Sequence, residues 1–427
     1  MSLLATLAFP VFADDLLSVY QSALANDPQF RAAQSEYKAQ LESKSQSSSQ
    51  LYPSISLSAN YTDNDEKIEN SSTTRYKYTS KGYNLSLVQP LYRQANFVGL
   101  SQANALVAQA QATLDSAKQD LILRVATRYF AVLAAEDDLS FAMAERTAIQ
   151  QQLVQTQQRY KVGLIAITDV QEAQARFDQA VARAIVAENA VAISRESLRE
   201  ITAADVGQLA PLSNTHPLLS PNPADINQWV SKALSQNSLL TSAKASVEVA
   251  REEVSKQRAG HFPSLDLVAN HSYGNYGGGQ FGKRDVEDNT VSLQLNVPLF
   301  QGGLVSSLTR AASFRLQEAK EKLEQQTRAT EKQTRNSYLS VIANISQVTA
   351  LKQALASSQV ALKATQAGFE VGTRTTVDVL DSQRELYRAQ RDYIRARHGY
   401  ILSTLLLKKA AGTLKDEDVR LINAWLN

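Results

Sequence analysis

A chain of 427 residues can hold two or three ordinary domains, or one elongated domain. Its 44 basic and 42 acidic residues leave a formal net charge of only +2, which excludes a bulk attraction to nucleic acid. The absence of cysteine excludes disulfides, thiolate catalysis and cysteine-ligated metals, and no stretch approaches the ~20 apolar residues of a membrane-spanning helix.

The first element is an apolar segment, residues 1–13, with the character of a secretory signal. The run Val11-Phe12-Ala13 would supply a small-residue cleavage site before Asp14. Because no basic residues precede the apolar core, we interpret the segment as a signal-peptide remnant. The alternative is a short apolar helical turn at the N-terminus of the folded chain.

The first of two predicted repeats spans residues 14–202 and combines helical and strand periodicities. After Pro53 the pattern changes to alternation of apolar and polar residues, which predicts a strand. A polar, loop-like segment from Asp63 to Thr74 separates this strand from its return strand, and Pro90 marks the junction with the next helix. The predicted elements in chain order are a helix at 15–50, strands at about 54–62 and 76–88, a long helix at about 95–160 and a return helix at about 168–201.

The long helix of each repeat carries apolar or small residues at steps of three and four. In the first repeat these residues are Leu100, Ala103, Val107, Ala110, Leu114, Ala117 and Leu121. A sustained 3.5-residue repeat is typical of a coiled-coil seam, and such a helix would be ~90–100 Å long. Gly163 and Gly372 end the two long helices. The small seam residues favour a sheet-like wall of closely packed helices.

A second repeat at 225–412 follows a proline-rich linker at 203–224. Corresponding positions lie about 209 residues apart, and this fixed period indicates one architecture built twice. Pro263 and Pro298 repeat the prolines that flank the strands, and we expect the connection at Gly277-Gly278-Gly279 to be exposed. The elements are a helix from 225, strands at about 264–273 and 289–297, a long helix at about 303–370, a return helix at about 376–411 and an amphipathic tail at 413–427.

Four strands per chain cannot close a barrel, and an open sheet exposes two edges. In a membrane, the unpaired backbone groups of such edges cost several kcal/mol each. If the apolar face meets lipid, three protomers could supply twelve strands around a lumen lined by polar residues, including Asp266. The alternative is an ordinary small sheet within a soluble periplasmic coiled-coil scaffold or adaptor protein. Alternation fits both interpretations, and the length of the helices favours the first.

Two motifs that follow the long helices carry a resemblance to a known family. They are Val162-Gly163-Leu164-Ile165-Ala166-Ile167-Thr168-Asp169-Val170-Gln171 and Gly372-Thr373-Arg374-Thr375-Thr376-Val377-Asp378-Val379-Leu380-Asp381. Over nearly its whole mature length, the chain resembles the TolC-family outer-membrane export channels. The resemblance implies a mostly α fold with β, in which long coiled-coil helices form a trimeric α-helical barrel. It also implies that four strands per protomer contribute to a shared 12-stranded transmembrane β-barrel.

The same resemblance implies a homotrimer in the outer membrane of a Gram-negative bacterium, surrounded by outer-membrane lipid and with a large periplasmic part. It implies passive exit for drugs or proteins, driven by an inner-membrane efflux pump or ABC transporter. A periplasmic adaptor (membrane fusion) protein would complete the assembly. The resemblance implies neither a cofactor nor an enzymatic activity.

Asp378 and Asp381 lie three residues apart and therefore share one face of the helix that follows Gly372. By resemblance, they line the periplasmic constriction of the channel. A trimer would bring six carboxylates together there, which would favour multivalent cations and raise some of the carboxyl pKa values by repulsion. The alternative for Asp378 is helix capping behind Thr375, which leaves Asp381 unexplained.

Arg374 is a second candidate, because its guanidinium can bind oxygen atoms across a helix seam. By resemblance, it contacts Thr168 and Asp169 of a neighbouring protomer and holds the channel closed. Thr168 also fits a capping box with Gln171. Phe369 departs from the family pattern, in which a tyrosine donates a hydrogen bond to the aspartate that matches Asp169. Since a hydrogen bond to a charged group contributes ~1.5–3 kcal/mol, the sequence predicts a less tightly held closed state.

The sequence contains no recognisable catalytic constellation. The histidines lack metal-ligand spacing, and they are His216, His261, His271 and His398. There is neither a phosphate-binding loop nor a nucleophile elbow. Arginines between 384 and 397 alternate with acidic residues, which is typical of a solvated helix face rather than a nucleic-acid surface. We therefore expect a protein that is not an enzyme and has no cofactor, resident metal or nucleic-acid partner.

Overall fold

The computed structural model describes residues 14–69, 73–213 and 216–426. The predicted signal remnant at 1–13 lies outside the described residues. The chain comprises two compact units. The smaller unit consists of residues 35–112 and 241–326, apart from 70–72, and the larger unit contains the other described residues. Each unit draws on both sequence repeats, so a repeat is not a unit of packing.

Both repeats show the same order of elements, namely two helices, two strands, a long helix and a return helix. The first repeat contains α1 (Leu16–Asn26), α2 (Pro28–Ser49), β1 (Ser54–Glu69), β2 (Thr73–Arg93), α3 (Gln94–Lys161) and α4 (Ile167–Thr202). The second contains α5 (Ile226–Gln236), α6 (Ser238–Arg258), β3 (Ser264–Tyr276), β4 (Arg284–Asn296), α7 (Leu304–Glu370) and α8 (Thr376–Ala410). A final short helix, α9, covers Asp416–Asn423.

A single polar residue separates the first two helices of each repeat. Asp27 accepts a hydrogen bond from the N–H of Phe30 at 2.8 Å, and Asn237 accepts one from the N–H of Leu240 at 3.0 Å. Each side chain thereby caps the second helix of its pair. Arg124 donates two further hydrogen bonds to Asp27, at 2.7 and 3.1 Å. Although burial alone would raise the pKa of Asp27, the hydrogen bonds from Arg124 and Phe30 hold it below its ordinary value.

The four strands form one antiparallel sheet in the order β1-β2-β3-β4. They contain 16, 21, 13 and 13 residues, more than the sequence pattern predicted. The prediction of a loop from Asp63 to Thr74 is wrong for the described part of that segment, which excludes residues 70–72. There, β1 and β2 continue as a charged hairpin in which Arg75 donates two hydrogen bonds to Asp65. Oppositely charged cross-strand pairs stabilise such an exposed ribbon.

In the connection between β3 and β4, residues 280–283 are exposed as expected, whereas the three glycines at 277–279 are half-buried. The N–H of Gly277 donates to the carbonyl of Thr79 at 2.7 Å. A Cβ at Gly278 would lie only 2.9 Å from the Cβ of Tyr78. Glycine occurs here because the connection approaches β2 too closely for a side chain.

At two adjacent levels of the sheet, the register aligns residues of one character, whereas the next level, with Ser54, Val88, Val268 and Ser292, is mixed. One level, which we call the apolar row, consists of Ile55, Leu87, Ala269 and Val291. The adjacent level, the polar row, consists of Ser56, Ser86, Asn270 and Thr290. Since successive side chains point to opposite faces, these two levels make one face apolar and the other polar at this height of the sheet. On the edge strands, Ile55 and Val291 are 66% and 77% exposed. Neither outer edge has a partner strand among the described residues.

The long helices α3 and α7 contain 68 and 67 residues, which corresponds to about 100 Å each. Several of their buried positions hold small or hydroxylated residues, including Thr330, Thr334 and Ser337. The hydroxyl of Thr334 donates to the carbonyl of Thr330 at 2.8 Å, so its burial leaves no unsatisfied donor. Of the helices that the structure describes, none is both long and apolar enough for a membrane crossing.

The core of the larger unit lies where α3 and α8 pack together. Tyr129 and Phe130 of α3 and Tyr400 of α8 are among its most deeply buried side chains. The hydroxyl of Tyr129 donates to the carbonyl of Ala210 at 2.8 Å, which attaches the proline-rich linker to this core. The C-terminal helix α9 packs here as well and buries Val419.

Gly412 follows α8 and lies against the junction of α5 and α6. Its φ of +73° belongs to the left-handed region, which favours glycine. A Cβ at this position would lie 2.3 Å from the carbonyl oxygen of Gln236 and 2.6 Å from the nitrogen of Asn237. Both the backbone conformation and the close approach therefore require glycine.

Candidate functional site

Two turns connect the long helices to their return helices and contain the predicted site residues. Gly163 and Gly372 adopt φ angles of +75° and +80°, which end α3 and α7 in the left-handed conformation. The N–H of Gly163 donates to the carbonyl of Tyr160 at 2.9 Å, and that of Gly372 donates to the carbonyl of Phe369 at 3.1 Å. The two long helices therefore end in the same way.

The two return helices begin differently. The hydroxyl of Thr375 accepts a hydrogen bond from the N–H of Asp378 at 3.3 Å, and the Asp378 carboxylate accepts one from the N–H of Thr375 at 2.8 Å. This reciprocal pair is a capping box at the start of α8. Ala166 occupies the N-cap position of α4 and supplies no side-chain hydrogen bond. The alternative interpretation of Thr168 as a cap is wrong, because the helix already begins at Ile167.

Asp378 is half-buried and is held by its own helix end. Hydrogen bonds from the N–H and the hydroxyl of Thr375 lower the pKa of Asp378 below its ordinary 3.8, and the charge of Arg374 contributes in the same direction. Within one protomer, this direction is opposite to the increase expected from repulsion between carboxylates. Asp378 is therefore ionised at neutral pH. Both hydrogen bonds end on Oδ2, so capping occupies one of the two carboxylate oxygens.

Asp381 lies one turn further along α8 and forms ion pairs with two arginines. Nη1 of Arg176, on α4, is 3.3 Å from Oδ1 of Asp381. Nη2 of Arg384, on α8, is 3.6 Å from the same oxygen. Arg176 also lies 3.6 Å from Glu172. No motif marks Arg176, and only the packing of α4 beside α8 brings it to this carboxylate.

Arg374 packs against the end of α7. Its Cγ lies so close to Gly368 that a Cβ there would be 2.8 Å away. Thr168 is exposed and Asp169 is half-buried. Within the described part of this protomer, no hydrogen bond or ion pair joins Arg374 to either residue. The predicted partners belong to a neighbouring protomer, so this contact stays a prediction.

Phe369 contacts the side chain of Arg159, and the sequence did not predict this contact. The guanidinium carbon of Arg159 lies 4.2 Å from the centroid of the Phe369 ring. Such a cation–π contact contributes ~0.5–1 kcal/mol at exposed sites and about 2 kcal/mol where water is excluded. Because Arg159 lies in the last turn of α3 and Phe369 in the last turn of α7, the contact ties together the ends of the two long helices.

A small apolar cluster lies next to Asp381 and packs α3, α4 and α8 together. It joins Ile149 of α3 to Ala180 of α4 and Leu380 of α8, with Phe177 packed against them. Ala180 has no exposed surface, and Leu380 is only 4% exposed. Because Leu380 directly precedes Asp381, this packing fixes the orientation of α8 at the predicted constriction.

The histidines do not form a second site. Across residues 14–69, 73–213 and 216–426, no cluster of three histidine or carboxylate side chains is placed to hold a metal ion. His398 is buried beside Phe130, with ring centroids 5.2 Å apart. Burial, together with the charge of Arg397, lowers the pKa of His398 to about 4. His398 is therefore a neutral core residue at physiological pH.

Comparisons with known proteins give a consistent result. A family model described as "Outer membrane efflux protein" matches residues 19–204 and 229–413. Outer membrane protein TolC of Vibrio cholerae is 40% identical, with 99% of this chain and 96% of that protein covered. Outer membrane protein TolC of Escherichia coli is 35% identical, with coverages of 97% and 85%. The alkaline protease secretion protein AprF of Pseudomonas aeruginosa is 29% identical, with coverages of 97% and 87%.

Solved structures with the same architecture include CusC and the outer membrane protein VceC of Vibrio cholerae. CusC aligns with a TM-score of 0.79 at 16% identity, covering 94% of this chain and 92% of that one. VceC aligns with a TM-score of 0.78 at 18% identity, covering 93% and 96%. At these identities the likeness shows a shared fold and nothing further.

Proposed function

Because the chain belongs to the outer membrane efflux protein family, we propose that three copies of it form a passive exit duct across the periplasm and the outer membrane. The protein is an outer-membrane channel for efflux or secretion rather than an enzyme, and it resides in the outer membrane of a Gram-negative bacterium. In the proposed trimer, the strands share one 12-stranded barrel and the long helices line a periplasmic tunnel. The tunnel narrows where Asp378 and Asp381 lie.

The observation that carries the trimer proposal is a sheet with two open edges and one apolar face. Unpaired strand edges cannot face lipid, whereas identical sheets placed edge to edge would satisfy the backbone groups of one another. A soluble scaffold would have to leave the apolar row in water, with Val291 77% exposed. Exposed apolar area of this kind is typical of a membrane or protein contact.

The proposed partners are a periplasmic adaptor and an inner-membrane efflux pump or ABC transporter, with drugs or proteins as cargo. Support comes from relatives named for outer-membrane function and for the secretion of proteases. The chain should restore drug resistance or protein secretion in a Gram-negative host that lacks its own channel but retains pump and adaptor. A failure to restore either process, at normal trimer levels, would contradict these partners.

Replacing both predicted constriction carboxylates should make the channel resistant to block by cations. Planar-bilayer conductance would be recorded for the wild type and for Asp378→Asn combined with Asp381→Asn, with a trivalent cation added on the periplasmic side. The neutral ring lacks the field that attracts the cation. Because the pKa of Asp378 lies below its ordinary 3.8, block of the wild type should persist from about pH 7 to about pH 5. Equal sensitivity of the two proteins would remove the constriction assignment.

Weakening the contact between Arg159 and Phe369 should raise the open probability of the channel. Arg159→Gln and Phe369→Leu each remove ~0.5–2 kcal/mol of contact energy per protomer, whereas Phe369→Tyr adds a donor and should lower the open probability. The double substitution should have little more effect than either single one. Lys161→Gln is the matched control, since Lys161 is a second basic residue in the same helical turn. Additive effects in single-channel recordings would refute a direct coupling.

A further inference from the structure

We propose that Arg176 and Arg384 set the response of the constriction to cations, because they neutralise Asp381. This inference rests on the proposed function and concerns the selectivity of the same site. It assigns the two aspartates unequal roles. Asp378 would attract cations, and Asp381 would be masked.

The geometry at Asp381 brings two guanidinium groups within ion-pair distance of one carboxylate oxygen. Nη1 of Arg176 and Nη2 of Arg384 lie 3.3 and 3.6 Å from the same oxygen, Oδ1. That oxygen is shielded from solvent and accepts no hydrogen bond, so the arginines act on it through their charge, although the Asp381 side chain as a whole is 43% exposed. The Arg176 side chain is only 26% exposed. Most of the Arg176 side chain is therefore packed against the protein rather than extended into water.

The two arginines come from different parts of the chain. Arg384 lies three residues after Asp381 on α8, whereas Arg176 projects from α4 of the other repeat. Glu172 and Glu385 are further acidic neighbours, 3.6 Å from Arg176 and 4.0 Å from Arg384. Asp381 thus belongs to a mixed-charge network that spans both return helices.

Asp378 has a different environment. Hydrogen bonds from Thr375 hold its carboxylate in the ionised form, since they lower its pKa, and the nearby charge of Arg374 contributes without forming an ion pair in the described part of the chain. In the proposed trimer, three Asp381 carboxylates would face six guanidinium groups. An approaching cation would therefore experience mainly the ring of Asp378.

The test is to unmask Asp381. Arg176→Gln combined with Arg384→Gln should lower the half-blocking concentration of hexaamminecobalt(III) in planar bilayers by roughly tenfold, and shift the reversal potential in a KCl gradient toward cation selectivity. Replacing both arginines by lysine should preserve the wild-type response, because the charge remains. Arg388→Gln is the matched control, since Arg388 pairs with Glu385 and Asp392 instead.

Adding Asp381→Asn to the double glutamine variant should abolish the gain in block. Unchanged block after removal of both arginines would overturn the proposal, and so would a gain that persists without Asp381. If the double variant does not assemble, Arg384→Gln alone should give an intermediate increase in block by the cation. The absence of that increase would also overturn the proposal. A wild-type protein that forms no pores, or pores that the cation does not block, would contradict the proposed function instead.

Discussion

Val291→Arg should prevent the protein from accumulating as a trimer in the outer membrane. Val291 lies in the apolar row on the edge strand β4, where it is 77% exposed. An arginine on the lipid face of a barrel costs ~2–4 kcal/mol at the middle of the bilayer, which amounts to about 6–12 kcal/mol for three copies. A cost of this size is comparable to the whole stability of an ordinary domain. Trimers in outer-membrane fractions, compared with and without heating on denaturing gels, measure the effect.

Thr290→Arg is the matched control for this substitution. Thr290 is the adjacent residue on the same strand, and it lies in the polar row beside Asn270. If the polar face lines an aqueous lumen, an arginine there remains hydrated and the trimer should form at close to the wild-type level. Equal tolerance of both substitutions would contradict a lipid-facing apolar row. Equal loss would show that the edge strand tolerates no large residue, and would also contradict the assignment of the two faces.

Gly412→Ala should destabilise the larger unit by about 2–5 kcal/mol per protomer. The positive φ of +73° opposes any side chain, and the new Cβ would lie 2.3 Å from the carbonyl oxygen of Gln236. The backbone of the junction between α5 and α6 would have to move. Thermal unfolding of the detergent-solubilised protein, followed by circular dichroism, measures the change.

Gly399→Ala is the matched control within the same unit, and it should not destabilise the protein. Gly399 lies inside α8, and a Cβ there would meet no atom within 4 Å. Alanine in a helix interior is more stable than glycine by roughly 0.5–1 kcal/mol, so this variant should melt at or slightly above the wild-type temperature. Similar destabilisation by both substitutions would mean that the contact at Gly412 is not the cause.

The two faces of the sheet could be predicted from the sequence, because alternation is a property of neighbouring residues. Apolar and polar residues alternate along β1 and β4 in the sequence, and the register of the sheet places Ile55 and Val291 in one row. The ends of the strands could not be predicted in the same way. Residues 63–69 contain no apolar alternation, and the pairing of Asp65 with Arg75 that extends the hairpin is a cross-strand property.

Only some of the contacts at the helix ends could be predicted from the sequence. Capping of Asp378 by Thr375 is local and was recognised as an alternative. The partner of Phe369 could not be inferred, because Arg159 belongs to the other repeat and no spacing rule relates the two. The ion pair between Arg176 and Asp381 could not be predicted for the same reason. Local motifs thus pointed to the candidate residues, whereas the charges beside them depend on how the return helices pack.

The unequal starts of α4 and α8 have a mechanical consequence. A ring of three chains would contain six hairpins, and only three of them would carry the Thr375 box, since Ala166 stands at the equivalent place. A side-chain cap stabilises a helix start by ~0.5–2 kcal/mol, so the first turn of α4 frays more readily than that of α8. Alternate hairpins of the proposed ring would then differ in the stability of the first turn of their return helices.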